Sequence, residues 1–370
     1  MRRSDKTEQG RPIASHPSPH TRRLLKRPRR VFMVLPAAPT RRIGDDASVR
    51  HRCVNRAEHL ADHGIPAILC TTDDLAVAEL STGDAVIFNH PVVTPALRRI
   101  LDATLASGAT VVADIDSHHI DIGLVMRGAA ARMALHAREQ MLADLSARAE
   151  ALRLFPRVLV PDEDLATRIR RLHPHGRIDI VRDVPIASEL ALARTVRGLP
   201  GGVEPEDCVA CLGPSADMEE ILPTLAARLL SVLGAAGRTM LVQTDVAVPP
   251  ALHQSGRIRP VLPVDPLEQL PLLRTCRAVA FLTAEVDIAG VAAWRAFAQA
   301  ALAGVPFVSL RIPVLPAVMG VRLVDNHEQW LAALAGHPGS GWPNPPLVQA
   351  NMLRNLQVKE AVRELLTALT

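Results

Sequence analysis

The chain has 370 residues, more than one ordinary core holds, which suits two domains of about 150 residues each. Hydrophobic residues make up 48% and charged residues 22%, while aromatics are only 2% and tyrosine is absent, so the cores must be built from Ala, Val, Leu and Ile; a Tyr-rich recognition surface is excluded, and the composition argues against a base-stacking one. Net charge is +4, yet residues 1–30 hold ten Lys or Arg against Asp5 and Glu8; +4 less the arm's +8 leaves −4 for the body, which argues against nucleic acid as a partner.

The arm, residues 1–30, also carries Pro12, Pro17, Pro19 and Pro28 and few large apolar residues, a composition that reads as disordered. It lacks the apolar segment of a secretory signal. Its charge suits a solvated tail or contact with an anionic membrane surface. Five cysteines, an odd number without a secretory signal, fit reduced thiols and a cytoplasmic setting, at the inner membrane face if the arm engages lipid. No apolar run approaches the roughly 20 residues that span a bilayer.

From residue 31 the pattern alternates. Residues 31–35 read as a buried strand and 48–63 as a helix capped by Ser48 and stopped by Gly64. Strands follow at 65–70, 84–88 and 110–115, with a helix over 94–107. A long Ala-rich helix is expected over 127–152, then strands at 157–160 and 177–181 around a helix over 162–172. Residues 197–206 (RGLPGGVEPE) hold three glycines and two prolines and mark a linker. The alternation then restarts. Strands fall at 209–212, 238–243, 258–262, 278–282 and 305–310, and helices at 217–233, 267–275, 291–303 and 326–335, the last capped by Asn326. A Gly/Pro segment, 336–346, leads to a final helix over 347–369. Short Val/Ile runs separated by helices imply parallel sheets covered on both faces. The fold class is therefore α/β, with two Rossmann-like doubly wound domains, 31–197 and 207–345, and an interdomain cleft; residues 346–370 return toward the first domain.

Candidate chemistry gathers at strand ends. Gly213-Pro214-Ser215 follows a strand and opens a helix, a place where backbone N–H groups meet a phosphate; as a plain turn, Ser215 or Asp217 would cap the helix. Asp114 and Asp116 form a D-x-D at a strand end, a divalent-metal pattern, with Asp116 alternatively a base or a turn residue. His90 in Asn89-His90-Pro91 ends another strand and suits acceptor binding or a hydrogen-bonded turn. His118 and His119 are adjacent and cannot share a strand face, so no metal cluster is expected there. Cys208 and Cys211 form a CxxC inside an apolar strand run, which reads as core. Arg295 and Gln299, four apart, share one helix face.

Several stretches resemble one family. Residues 48–64 (SVRHRCVNRAEHLADHG), 84–116 (DAVIFNH … VVADID), 160–168 (VPDEDLATR), 178–184 (IDIVRDV), 209–223 (VACLGPSADMEEILP), 292–306 (AAWRAFAQAALAGVP) and 328–334 (EQWLAAL) are similar, in element order, to GT-B glycosyltransferases of the large retaining group that use nucleotide-sugar donors. The closest motif match is Gly304-Val305-Pro306. The resemblance implies an acceptor-binding first lobe and a donor-binding second lobe. It implies donor contacts at Gly213, Ser215, Glu285, Asp287, Arg295, Gln299 and Gly304, with Asp116 and His90 as catalytic candidates. It further implies a nucleotide-sugar donor with no metal or other cofactor, and a glycan or lipid-linked acceptor of cell-surface polysaccharide type. A non-catalytic GT-B-like protein that binds sugar or a partner is the alternative. Departures lie on the ligand face: Gln299 stands where the family has glutamate, Ala296 where it has lysine, Asp183 where it has asparagine, and Ser117 where it has a final carboxylate.

Overall fold

The computed structural model describes residues 27–36, 48–117, 120–123, 134–185, 187–196, 207–263, 265–287, 289–336 and 345–370. The arm up to residue 26, the linker 197–206, His118 and His119, the start of the long Ala-rich helix and most of the second Gly/Pro segment lie outside the described residues.

The first lobe holds β1 (Val31–Val34), β2 (Ala67–Cys70), β3 (Ala85–Asn89), β4 (Thr110–Asp114), β5 (Arg157–Val160) and β6 (Arg177–Ile180), ordered β2-β1-β3-β4-β5-β6. The second holds β7 (Cys208–Leu212), β8 (Thr239–Gln243), β9 (Ile258–Leu262), β10 (Ala278–Phe281), β11 (Phe307–Leu310) and β12 (Val321–Val324), ordered β12-β11-β10-β7-β8-β9. Every pairing of these strands is parallel. The two doubly wound sheets expected from the alternating pattern are thus present, as separate sheets. Their central strands are buried throughout, because helices cover both faces and leave no solvent side to alternate toward.

In the first lobe the helices are α1 (Asn55–Asp62), entered through a π-helical turn at Val49–Val54, α2 (Thr72–Ala76), α3 (Pro95–Ala106), α4 (Leu135–Leu152), α5 (Glu163–Leu172) and α6 (Ala187–Val196). The second lobe has α7 (Ser215–Ala235), α8 (Pro250–Gln254), α9 (Pro266–Thr275), α10 (Gly290–Ala303) and α11 (His327–Ala335), followed by α12 (Pro345–Arg354) and α13 (Val358–Ala368). Side-chain caps set several starts. Thr94 accepts from the Leu97 amide at 3.0 Å, Asp162 from Leu165 at 2.9 Å and Asn326 from Gln329 at 2.9 Å.

Some sequence expectations need correction. Ser48 makes no capping hydrogen bond, because the helix enters on a π-helical turn. The single final helix is two. Gln357, at φ +50°, breaks it in the left-handed region. The helix after β7 begins at Ser215 with Pro214 at its cap and no side-chain cap bond, so neither Ser215 nor Asp217 caps it. Helices α2, α6 and α8 and strand β12 have no counterpart in the sequence pattern.

Each sheet is sandwiched by two apolar clusters. In the second lobe, Phe297 of α10 meets Phe307 of β11 edge-on at 6.0 Å. Leu365, Ala368 and Leu369 at the chain's end pack into the first lobe's cluster with Val31, Met33 and Ile87. Helix α12 instead packs on α10, with Val348 and Met352 in the second lobe's core.

Candidate functional site between the lobes

Parallel strands present their carboxyl ends on one edge, and strand order reverses between β1 and β3 in the first sheet and between β7 and β10 in the second. Chemistry-bearing residues collect at these edges. Asp114 ends β4, with Asp116 two residues on; His90 follows β3; Asp183 follows β6; Gly213 follows β7; Thr283 follows β10.

The centre is a buried ion-pair network that crosses from lobe to lobe. Arg52 donates from Nε to both Asp114 oxygens, at 3.0 and 3.1 Å, and from Nη1 to Asp183 at 3.0 Å and to the Val181 carbonyl at 2.6 Å. Arg56, one turn later, donates to Asp114 at 2.7 Å and to the Val181 carbonyl at 2.9 Å. Arg295, from α10 of the second lobe, donates from Nε to Asp183 at 2.7 Å and from Nη2 to Asp116. His90 Nε2 closes on the other oxygen of Asp116. Three guanidiniums thus face three carboxylates, and Arg52, Arg56, Asp114, Asp116 and Asp183 are all buried.

Burial alone would raise both interfacial carboxyls, but neighbouring charge prevails. Arg295, with His90 and Arg52, holds Asp116 well below the usual carboxylate range. Arg295 and then Arg52 hold Asp183 down at about 2. The pairing also keeps Arg295 raised despite its desolvation. Desolvation, with Arg52 close by, lowers Arg56 to about 10. His51, behind the network, accepts from Asn55 Nδ2 at 3.3 Å and is lowered to about 4 by burial and by Arg295.

The sequence candidates separate into groups. Asp116, His90 and Arg295 come together, Arg295 as the partner of Asp116 across the interface. Asp114 and Asp116 do not converge as a D-x-D pair, because different arginines hold them; among the described residues no cluster of three His, Cys, Asp or Glu is placed to hold a metal. Gln299 lies one turn beyond Arg295, buried, with an unpartnered Oε1, and does not line the cleft described below.

Gly213 is required by packing: a Cβ there would lie 2.1 Å from the Leu282 carbonyl oxygen. The Ser215 hydroxyl donates to the Asp245 carboxylate at 2.9 Å, which puts negative charge beside the turn expected to hold phosphate. Asp217 accepts from the Thr283 hydroxyl at 2.6 Å and the Ala284 amide at 3.1 Å. Gly304, at φ +75°, is the left-handed cap that ends α10. Glu285 sits in the turn after β10, and Asp287 lines a small recess with Asp164, Arg168 and Gly290.

A cleft of about 450 Å³ opens beside the network. The first lobe contributes Asp162, Arg182 and Asp183, the second Gly290 and Trp294, and the break between α12 and α13 contributes Gln357. Trp294 packs at 5.3 Å on Phe297 and is half-buried. Arg182 donates to Gln357 Oε1 at 2.7 Å and pairs with Glu364 at 3.2 Å. Sequence reasoning missed Trp294 and the Arg52 and Arg56 pairings. The signal for the arginines was a basic i, i+4 pair on a helix otherwise packed against a sheet.

Two Rossmann-like lobes with their carboxyl edges turned to one cleft define the GT-B-like architecture. No family model matches the chain, and no curated protein matches it. Among solved structures, the chain is similar to a mutant of S. aureus TarM crystallised with fondaparinux, alpha-GlcNAc-glycerol and UDP, with a TM-score of 0.51 and 10% identity over 81% of this chain and 58% of that one. It is likewise similar to a glycosyltransferase from Rickettsia africae ESF-5, with a TM-score of 0.51 and 10% identity over 92% of this chain and 97% of that one. The chain therefore spans little more than half of TarM's length. At this identity the likeness establishes the GT-B fold, and function rests on the site.

Proposed function

We propose that the chain is a GT-B glycosyltransferase of the retaining, nucleotide-sugar-dependent group, moving a sugar to a glycan or lipid-linked acceptor in cell-surface polysaccharide assembly. The observation that carries this reading is the 450 Å³ cleft, lined by both lobes at the carboxyl side of two parallel sheets. Trp294 offers an apolar ring face to the C–H face of a sugar, and Asp162, Arg182 and Gln357 offer partners for its hydroxyls. The donor diphosphate takes Arg295 as its cation, which requires that arginine to exchange Asp116 and Asp183 for phosphate oxygens. Asp116, held so far below the usual range, is a poor general base while Arg295 stays in place. Transfer would therefore rely on stabilising the departing diphosphate, with no cofactor beyond the donor. The setting is cytoplasmic, with the basic arm against the inner membrane face.

One observation favours a second reading. Arg295 and Asp116 are paired with each other, and Asp245 stands at the Gly213 turn, so the chain's own groups fill the expected donor contacts. This fits a non-catalytic GT-B-like protein that binds sugar or a protein partner.

Calorimetry with nucleoside diphosphates and nucleotide sugars separates the two. Catalytic use of the cleft predicts binding at or below millimolar concentration, weakened about tenfold to a hundredfold in Arg295→Ala; Gln299→Glu, which buries a charge away from the cleft, is expected to bring no gain. Absence of nucleotide binding in all three proteins overturns the first reading and leaves the second.

A further inference from the structure

The two cysteines that the sequence pairs as CxxC are not neighbours in the fold. They stand three positions apart on β7, so they lie on opposite faces: Cys208 belongs to the cluster with Phe281 and Phe297, Cys211 to the one with Leu222 and Trp330. Cys208 meets Cys276 instead, 68 positions later and just ahead of β10, with the two Sγ atoms 3.4 Å apart. The backbone holds them there. Strands β7 and β10 are adjacent with Val209 opposite Ala278, and the Arg277 amide donates to the Cys208 carbonyl at 2.9 Å. The thiols form a short chain, Cys208 donating to Cys276 and Cys276 to the Leu272 carbonyl at 3.4 Å. Cys208 is 4% exposed and Cys276 2%.

We propose that Cys208 and Cys276 form a modification site that closes to an intramolecular disulfide on contact with a small peroxide. A disulfide has its sulfurs about 2.05 Å apart, so each needs to move only about 0.7 Å. The thiolate of one cysteine attacks a peroxide oxygen; the O–O bond breaks, a sulfenic acid forms and hydroxide departs, taking up a proton. The second sulfur attacks the sulfenic sulfur; the S–S bond forms and the hydroxyl leaves as water with the second thiol's proton. In balance, two thiols and one hydrogen peroxide give one disulfide and two waters. Burial of both sulfurs selects hydrogen peroxide over an oxidant as large as glutathione disulfide. The bond would join the amino ends of the two central strands, opposite the ends that carry Gly213 and Thr283. It would close a long loop through β8 and β9, restraining the unfolded chain while leaving the cleft untouched.

The test uses the full chain, reduced and then exposed to hydrogen peroxide near stoichiometric amount, denatured in an alkylating agent and digested without reductant. The expected result is a mass loss of two hydrogens and a cross-linked peptide pair holding Cys208 and Cys276, reversed by dithiothreitol. The unfolding midpoint should rise by several degrees, and Cys276→Ser should lose both the cross-link and the rise. Alkylation of both cysteines after peroxide, separate oxidation of each to sulfinic acid, or a cross-link to another cysteine would overturn the proposal. Peptide mapping of the unaltered chain decides the matter even if Cys276→Ser folds poorly. The result is independent of nucleotide binding.

Discussion

At the scale of single residues, charge explains most of what is distinctive. Arg52 bonds two aspartates and a carbonyl in a dry environment, so replacing it leaves buried Asp114 with Arg56 as its one guanidinium and Asp183 with Arg295. Breaking such a pair from one side costs about 3–5 kcal/mol. Arg52→Met should therefore lower first-lobe stability by that amount in urea unfolding; a loss under 1 kcal/mol would show the network to be dispensable. His51 predicts a pH dependence. Its folded value is about 4 against an ordinary 6.5, so between those limits the unfolded chain binds the extra proton. Stability is then full above 6.5 and falls as pH drops toward 4, by up to about 3 kcal/mol. Asp183 adds a second, lower window: its value falls from an ordinary 3.8 to about 2, so its contribution holds above 3.8 and is lost as pH falls through 2. His51→Gln should flatten the upper window and leave the lower one, in unfolding curves collected from pH 7 to below 2. Residue by residue, the sequence showed that Asp116 and His90 end strands and that Arg295 rides a second-lobe helix. It could not show that they meet, because Arg295 and Asp116 are 179 positions apart and only the placement of the lobes joins them.

At the scale of elements, local chemistry was the readable part. Helix α3 starts where Thr94-Pro95 says it should, since a threonine oxygen takes the Leu97 amide and proline needs no partner in the first turn. Strand β5 and strand β9 begin and end where their apolar runs do. The readings failed where tertiary packing overrides pattern. Strand β12 is a half-exposed edge whose VRLV is too short to stand out, and the α12–α13 break needs Gln357 in a conformation that its sequence does not announce. Gly304-Val305-Pro306, the closest match to the family's motif, also ends helix α10: Gly304 holds a positive φ, and a Cβ there would stand 3.0 Å from Gln349. Gly304→Ala should cost about 1–2 kcal/mol of second-lobe stability from the left-handed backbone alone. If binding of any ligand falls in this variant while its thermal midpoint is unchanged, the cap assignment is wrong and a contact role is right.

At the scale of the whole molecule, the question is what makes two separately sheeted lobes one body. Several features cross the junction among the described residues. Leu190 and Ala193 of α6 sit in the second lobe's apolar core. Arg295 inserts a second-lobe cation between Asp116 and Asp183 of the first. Helix α13 buries Leu365, Ala368 and Leu369 in the first lobe's core after α12 has packed on the second. Arg182 ties β6's end to Gln357 and Glu364. Of these, the Arg295 pair is the charged one that lies mostly out of water, so screening by salt weakens it less than the Arg182 pair, and losing it takes a counter-ion from two buried carboxylates at once. Contacts between lobes also set whether they unfold together. The intact chain should therefore melt in one calorimetric transition. Arg295→Met, which keeps the helix former and much of the volume but removes the charge, should split the transition in two, the first lobe melting earlier. Asp116→Asn with Asp183→Asn should separate the lobes in the same way and at the same time release Arg295, so that a nucleoside diphosphate binds more tightly than to the unaltered chain. The two variants thus act alike on cooperativity and oppositely on nucleotide affinity, a combination expected only if one arginine both clasps the lobes and meets the donor. Tightened binding without loss of cooperativity would assign the clasp to α13 instead, and lost cooperativity with unchanged binding would leave Arg295 a purely structural cation.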